Sequence, residues 1–111
     1  MEIIFRNAKV RKLCTNSSVA ARKLGSVNAR RLRQRLDDLH AADSLEVMRV
    51  LPGRCHELEA DRAGQLSLDL EHPQRLVFEP AANPAPSKPD GGLDWSEVTA
   101  VRILEITDTH G

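Results

Sequence analysis

The chain has 111 residues, 41% of them hydrophobic and 29% charged, the make-up of a single globular domain with room for a modest core. Its net charge of zero hides a division: residues 1–35 carry ten basic side chains and one acid (+9), and residues 36–111 carry six basic and fifteen acidic ones (−9), so the first part is suited to a polyanion such as nucleic acid. No apolar run approaches a membrane span and the N-terminus has no signal-peptide core, which argues against a membrane partner and makes the cytoplasm the expected compartment.

Glu2–Arg6 is short, apolar and β-branched, and reads as a strand. Ala8–Leu24 reads as helix with a break near Thr15-Asn16-Ser17-Ser18, where several side chains can cap a new turn. Gly25-Ser26 ends one helix and caps the next. From Ser26 to about Ala42, Val27, Leu32, Leu36 and Leu39 share one helical face, while Arg30, Arg31, Arg33, Arg35, Asp37 and Asp38 ring the remainder. Ser44 can cap a further short turn through Met48. After Pro52-Gly53 the period changes from helical to two. Arg54–Glu59 is a candidate strand, and Leu66, Leu68 and Leu70 alternate with Ser67, Asp69 and Glu71 as in a half-buried strand. His72-Pro73-Gln74 makes a turn, and Arg75–Glu79 returns as the hairpin partner. Pro80, Pro84, Pro86 and Pro89 with Gly91-Gly92 make residues 80–94 a long irregular loop, of the kind that is functional or mobile. Val98–Ile106 is apolar on both faces and suits a central strand. The expected fold class is α+β. An N-terminal strand and two helices pack on one face of an antiparallel sheet of about four strands, in one domain over residues 1–111.

Aromatic residues are scarce: Phe5, Phe78 and Trp95, with no Tyr. That disfavours a sheet on which several bases stack. Cys14 and Cys55 lie in no CxxC pattern and read as reduced thiols. The four histidines, His40, His56, His72 and His110, show no zinc spacing with them, so neither a metal nor another cofactor is expected. The polar groups of interest fall on or beside the sheet. His56 is mid-strand, Arg75 opens a strand, and Asp108 and His110 follow the last one, two residues apart. Such a set can cleave RNA without metal: one group takes the 2′-OH proton, a cation stabilises the phosphorane, and an acid protonates the leaving 5′-oxygen. Histidine suits either proton role. The bland alternatives are that His56 is a hydrogen-bonded strand residue and that Arg75 pairs across the hairpin with Glu71 or Asp69. A solvated pair of Arg-rich helices is likewise the alternative to a nucleic-acid surface.

Taken in order, Gly53-Arg54-Cys55-His56-Glu57-Leu58, Gly64-Gln65-Leu66-Ser67-Leu68, Gln74-Arg75-Leu76-Val77-Phe78 and Ile106-Thr107-Asp108-Thr109-His110 resemble the RelE/ParE toxin superfamily, in its HigB-like "plasmid maintenance killer" branch. The pattern there is a His-x-Leu strand, a Gly-x-x-Ser strand, an Arg-hydrophobic-x-Phe strand and a terminal Asp-Tyr-His. The helix Ala29-Arg30-Arg31-Leu32-Arg33-Gln34-Arg35-Leu36, followed by Leu51-Pro52-Gly53, is also similar, and the loop ending Asp90-Gly91-Gly92-Leu93-Asp94-Trp95 resembles an insertion in a subset labelled killer suppression proteins.

The resemblance covers almost the whole chain. It implies a RelE-like domain that acts as the toxin of a type II toxin–antitoxin system. The implied activity is that of a ribosome-dependent mRNA endoribonuclease, neutralised by a cognate helix-turn-helix antitoxin. Carried over by position, His56, Arg75, Asp108 and His110 form the catalytic group, and Arg22, Lys23, Arg30, Arg31 and Arg33 are the RNA-binding residues that meet the ribosome. Two positions depart from the pattern: the Tyr of Asp-Tyr-His is Thr109, and the Lys that commonly follows His-x-Leu is Glu59. They keep open a second reading, a catalytically weak or inactive relative that serves as a binding module or an antitoxin-type killer suppression protein. No helix-turn-helix pattern is visible in the chain itself.

Overall fold

The computed structural model of the chain describes residues 1–109. β1 (Glu2–Phe5) leads into three helices, α1 (Ala8–Thr15), α2 (Ser17–Leu24) and α3 (Ser26–Ala41). Each boundary has a local cause. The Asn7 side chain accepts from the Val10 N–H at 2.9 Å and opens α1. Asn16 closes α1, and its side chain accepts from the Val19 N–H at 3.2 Å to open α2. This is the break expected near residues 15–18, and it makes the helices three rather than two. Gly25 separates α2 from α3 at φ +83°, in the left-handed region that a side chain disfavours.

A 3-10 turn over Leu45–Val50 carries the chain to the sheet. There follow β2 (His56–Glu57), β3 (Leu66–Asp69), β4 (Gln74–Pro80) and β5 (Ala100–Asp108). The sheet order is β1-β5-β4-β3-β2. The fold class is α+β as expected, but the sheet has five strands and is mixed. β1 joins it and runs parallel to β5, whereas β2 to β5 are antiparallel neighbours. The helices supply the long crossover that parallel pairing requires. β2 is far shorter than Arg54–Glu59, because a turn at Gly53-Arg54 and a 3-10 turn at Ala60–Arg62 take residues from both ends. The loop through residues 81–94 is fastened by a bridge between Ser87 and Leu93. Beyond it the Trp95 Nε1–H donates to Glu57 at 3.1 Å and the Arg49 guanidinium lies 3.8 Å above the indole.

The core lies between the helices and one face of the sheet. Leu32, Leu36 and Leu39 of α3, with Leu45 and Met48, meet Leu66, Leu68, Leu76, Phe78, Val101 and Ile103. Burying each such side chain contributes about 2 kcal/mol. Val27, although in register with this stripe, is 40% exposed. The repeat identifies a helix face but not how far along it there is something to pack against. Arg35, expected on the solvent side, is 7% exposed. Its Nε donates to the Asp69 carbonyl at 2.8 Å, and its stem runs beside Gly53.

Candidate functional site

Side chains that are directly opposite on neighbouring strands share a face. His56 is opposite Ser67, Ser67 opposite Val77, and Val77 opposite Glu105. One step along, Asp69 is opposite Arg75, and Arg75 opposite Thr107. Those residues share the face turned away from the Leu66, Leu68, Leu76 and Phe78 core. His56 and Arg75 therefore lie on one surface on either side of β3, with Cα atoms about 12 Å apart from strand spacing and rise. Asp108 is opposite Gln74 in the alternate register, on the other side of the sheet from Arg75. His110 lies outside the described residues.

The His56 Nδ1 lies 2.8 Å from the Arg54 carbonyl oxygen. A carbonyl only accepts, so in the neutral ring the proton sits on Nδ1, and Nε2 keeps its lone pair for an external proton. The carbonyl is aimed by a strained turn. Gly53 and Arg54 have φ of +113° and +52°, and a non-glycine residue in that region costs on the order of 1 kcal/mol or more. The Asp69 N–H donates to the Gly53 carbonyl at 2.7 Å and pins the turn to β3.

Three arginines meet at Asp69. Its Oδ2 accepts from Arg54 Nε at 3.0 Å, its Oδ1 lies 3.3 Å from Arg75 Nε, and its carbonyl accepts from Arg35. Arg75 is 9% exposed, and its Nη1 donates to the Thr109 hydroxyl at 3.0 Å. Ser67, opposite His56, is fully buried, and its hydroxyl has no hydrogen-bond partner among the described residues. Such an orphan costs about 1–3 kcal/mol and marks a place where ordinary packing has been overridden. A cavity of about 60 Å³ opens between Arg54, Asp69, His72 and Arg75.

This face can offer a base, His56 Nε2, and two guanidinium groups, Arg54 and Arg75. Arg54 and Asp69 were not singled out from the sequence as site residues. The only signals were the Pro-Gly before Arg54 and the alternation that puts Asp69 beside Arg75. Of the two partners considered for Arg75, the structure has Asp69. Four of the five basic residues expected to meet RNA divide into two groups. Arg22 and Lys23 line a cleft between α1, α2 and β5, while Arg30 and Arg33 line a groove between the α1–α2 turn and α3. Arg31 is exposed on α3, and Arg33 lies 3.6 Å from Asp37 in an exposed pair of little energetic weight. Burial pushes the thiols of Cys14 and Cys55 up to about 12. Among the described residues no group of three or more His, Cys, Asp or Glu converges on one point, and no helix is long and apolar enough to cross a membrane.

No family model matches the chain, and no curated protein matches it. Among solved structures the chain is similar to a YoeB/ParE toxin from Agrobacterium tumefaciens, with a TM-score of 0.58 and 8% identity over 99% of this chain and 100% of that one. At that identity the likeness is one of fold: both chains have the same α+β architecture from end to end.

Proposed function

We propose that this protein is the toxin of a type II toxin–antitoxin pair and acts as a metal-independent mRNA endoribonuclease on the ribosome. The observation that carries the proposal is the face shared by His56 and Arg75, with His56 Nδ1 committed to the Arg54 carbonyl. The fold likeness to a YoeB/ParE toxin supports the toxin role. In this reading His56 Nε2 takes the 2′-OH proton, and the 2′-oxygen attacks phosphorus. Arg75 and Arg54 stabilise the charge that gathers on the phosphorane. His110 returns a proton to the departing 5′-oxygen. The products are a 2′,3′-cyclic phosphate and a free 5′-hydroxyl. Arg22, Lys23, Arg30, Arg31 and Arg33 engage ribosomal RNA through phosphates, so association weakens steeply with salt. The neutralising partner is a helix-turn-helix antitoxin, and the chain falls with the HigB-like proteins, in the killer suppression subset.

A second reading rests on Asp69. With a carboxylate already on Arg54 and Arg75, and with Thr109 where the pattern has Tyr, the chain is a weakly active or inactive relative that binds its partner without cutting RNA. One experiment separates the two. Induced alone in a bacterial host, the protein should arrest growth, and mapped mRNA ends should show new cuts. His56→Ala should lower cleavage on the order of 10²–10⁴-fold, the usual worth of a general base, and Arg75→Ala should relieve arrest. Normal growth at good soluble expression would favour the inactive reading.

A further inference from the structure

The sheet has two edge strands, and they differ. At one edge β2 is only two residues long and is followed by the 3-10 turn at Ala60–Arg62, and so short a strand is one way of blunting an edge. At the other, β1 is a strand of four residues, Glu2–Phe5, with no proline and no bulge, and no strand lies on its far side among the described residues. The Glu2 N–H donates to the Thr99 carbonyl at 3.1 Å, and the Arg6 N–H to the Ile103 carbonyl at 3.0 Å. Main-chain groups alternate in direction along a strand, so those of Ile3 and Phe5 point away from β5. The Ile3 and Phe5 side chains pack against the core, which puts Glu2, Ile4 and Arg6 together on the opposite face. A cleft of about 480 Å³ runs beside this edge, lined by Ile3, Ile4, Phe5, Asn7, Ala8 and Arg11. Glu2 and Arg6 are exposed, and neither has an ion-pair partner among the described residues. Glu2 is the single acid among residues 1–35.

We propose that β1 is a dimerisation edge: a second copy of the chain lays its own β1 there, antiparallel, about a two-fold axis at Ile4. Glu2-Ile3-Ile4-Phe5-Arg6 is self-complementary in that register alone. Ile3 of each copy exchanges main-chain hydrogen bonds with Phe5 of the other, and these are the residues whose N–H and C=O groups point outward. Ile4 meets Ile4 on the axis, and Glu2 of each copy stands directly opposite Arg6 of the other. A parallel pairing in register would set Glu2 beside Glu2 and Arg6 beside Arg6. An antiparallel pairing centred on another residue would leave a charge without its partner. The charge pattern therefore selects a second copy over an unrelated strand, because two identical edges satisfy each other by symmetry. β2, which carries His56, is the strand farthest from the joint in each copy. The dimer goes beyond the proposed activity and uses neither His56 nor Arg75.

Sedimentation velocity of the full chain at rising protein concentration tests this. The wild type should form a dimer, and a monomer at every concentration would overturn the proposal. Glu2→Arg and Arg6→Glu each set two like-charge pairs across the joint, and each should weaken the dimer by about tenfold. The two changes together should restore it to within about threefold of wild type, as an antiparallel joint about Ile4 requires. Ile4→Glu brings two carboxylates together on the axis and should leave a monomer with an unchanged circular dichroism spectrum. Should that variant fold poorly, the charge series decides alone. A dimer indifferent to the single reversals, or one that the double reversal fails to restore, would overturn the pairing. His56→Ala protein should dimerise as the wild type does, so a failed nuclease assay and a failed dimer are separate outcomes.

Discussion

Arg75 and Asp69 face each other across the β3–β4 ladder, with the guanidinium Nε 3.3 Å from Oδ1, the arginine largely withdrawn from water and the aspartate about one third exposed. The other carboxylate oxygen accepts from Arg54. One negative charge thus holds together two positive ones that would otherwise repel. In the proposed nuclease reading it also occupies the place where the phosphate would come.

Asp69→Asn removes that charge and keeps the shape. It should lower stability by about 1 kcal/mol, the scale of a half-exposed ion pair. It should also tighten binding of a single-stranded uridine oligonucleotide at low salt and steepen the salt dependence by roughly one phosphate contact. Anisotropy titrations at two salt concentrations measure both. An unchanged affinity in a folded variant would mean that Asp69 does not compete with phosphate.

Most of the scaffold was legible in the residues, because helix caps and alternation are local. Asn16 and Gly25 announced the helix boundaries, and the Leu66-Leu68 alternation gave β3 and its core face. The parallel pairing of β1 with β5 was not legible, since it depends on how the chain returns after all the other elements. Nor was the burial of Arg35, which a helical wheel places among solvated arginines and which one backbone carbonyl on a distant strand draws inward. The site was half visible. His56 and Arg75 stand on one face, as strand periodicity allows, but the register that sends Asp108 to the other face is set by the β4–β5 pairing and its irregularity at Val77/Phe78. Arg54 enters the site through a positive φ that composition alone does not announce.

Gly53 is the tightest backbone position beside this site. A Cβ built there would fall 2.8 Å from Arg35 Nε and 2.9 Å from Leu68 Cδ2, at a φ of +113°. Neither neighbour can retreat cheaply, because Arg35 is bound to Asp69 and Leu68 is fully buried. Gly53→Ala should therefore cost about 2 kcal/mol or more in urea unfolding. Gly25→Ala, where nothing lies within 4 Å, should cost only the backbone term of about 1 kcal/mol. Equal losses at the two positions would remove the steric argument.

The partly buried thiols make stability depend on pH in a defined direction. Cys14 and Cys55 are raised from 9.0 to about 12 by burial. Between those values the unfolded chain releases protons that the folded one keeps, so stability falls as pH rises from about 9 towards 12. Below pH 9 the two states hold the same thiol protons and no such slope arises. The urea midpoint should decline above pH 9, less so in a Cys14→Ala, Cys55→Ala protein. Native alkylation by iodoacetamide at pH 8 should be slow, because the thiolate is the reacting form. Rapid labelling of the folded protein would contradict the burial.

Thr109 accepts from Arg75 Nη1 at 3.0 Å, one residue past the end of β5. Replacing it by the Tyr of the resembled pattern would add a ring on which a base can stack, worth about 1–3 kcal/mol in single-strand binders. If that contact forms only in the transition state, it corresponds to roughly ten- to a hundredfold in rate. Thr109→Val is the matched control. It keeps the volume and removes the acceptor, and should cost about 1 kcal/mol of stability with no gain in cleavage. Faster mRNA cutting by Thr109→Tyr on purified ribosomes, with Thr109→Val no faster than wild type, is the expected result. Equal rates for all three folded proteins would mean that this position does not limit catalysis, and would shift weight to the reading in which Asp69 keeps Arg54 and Arg75 from their phosphate.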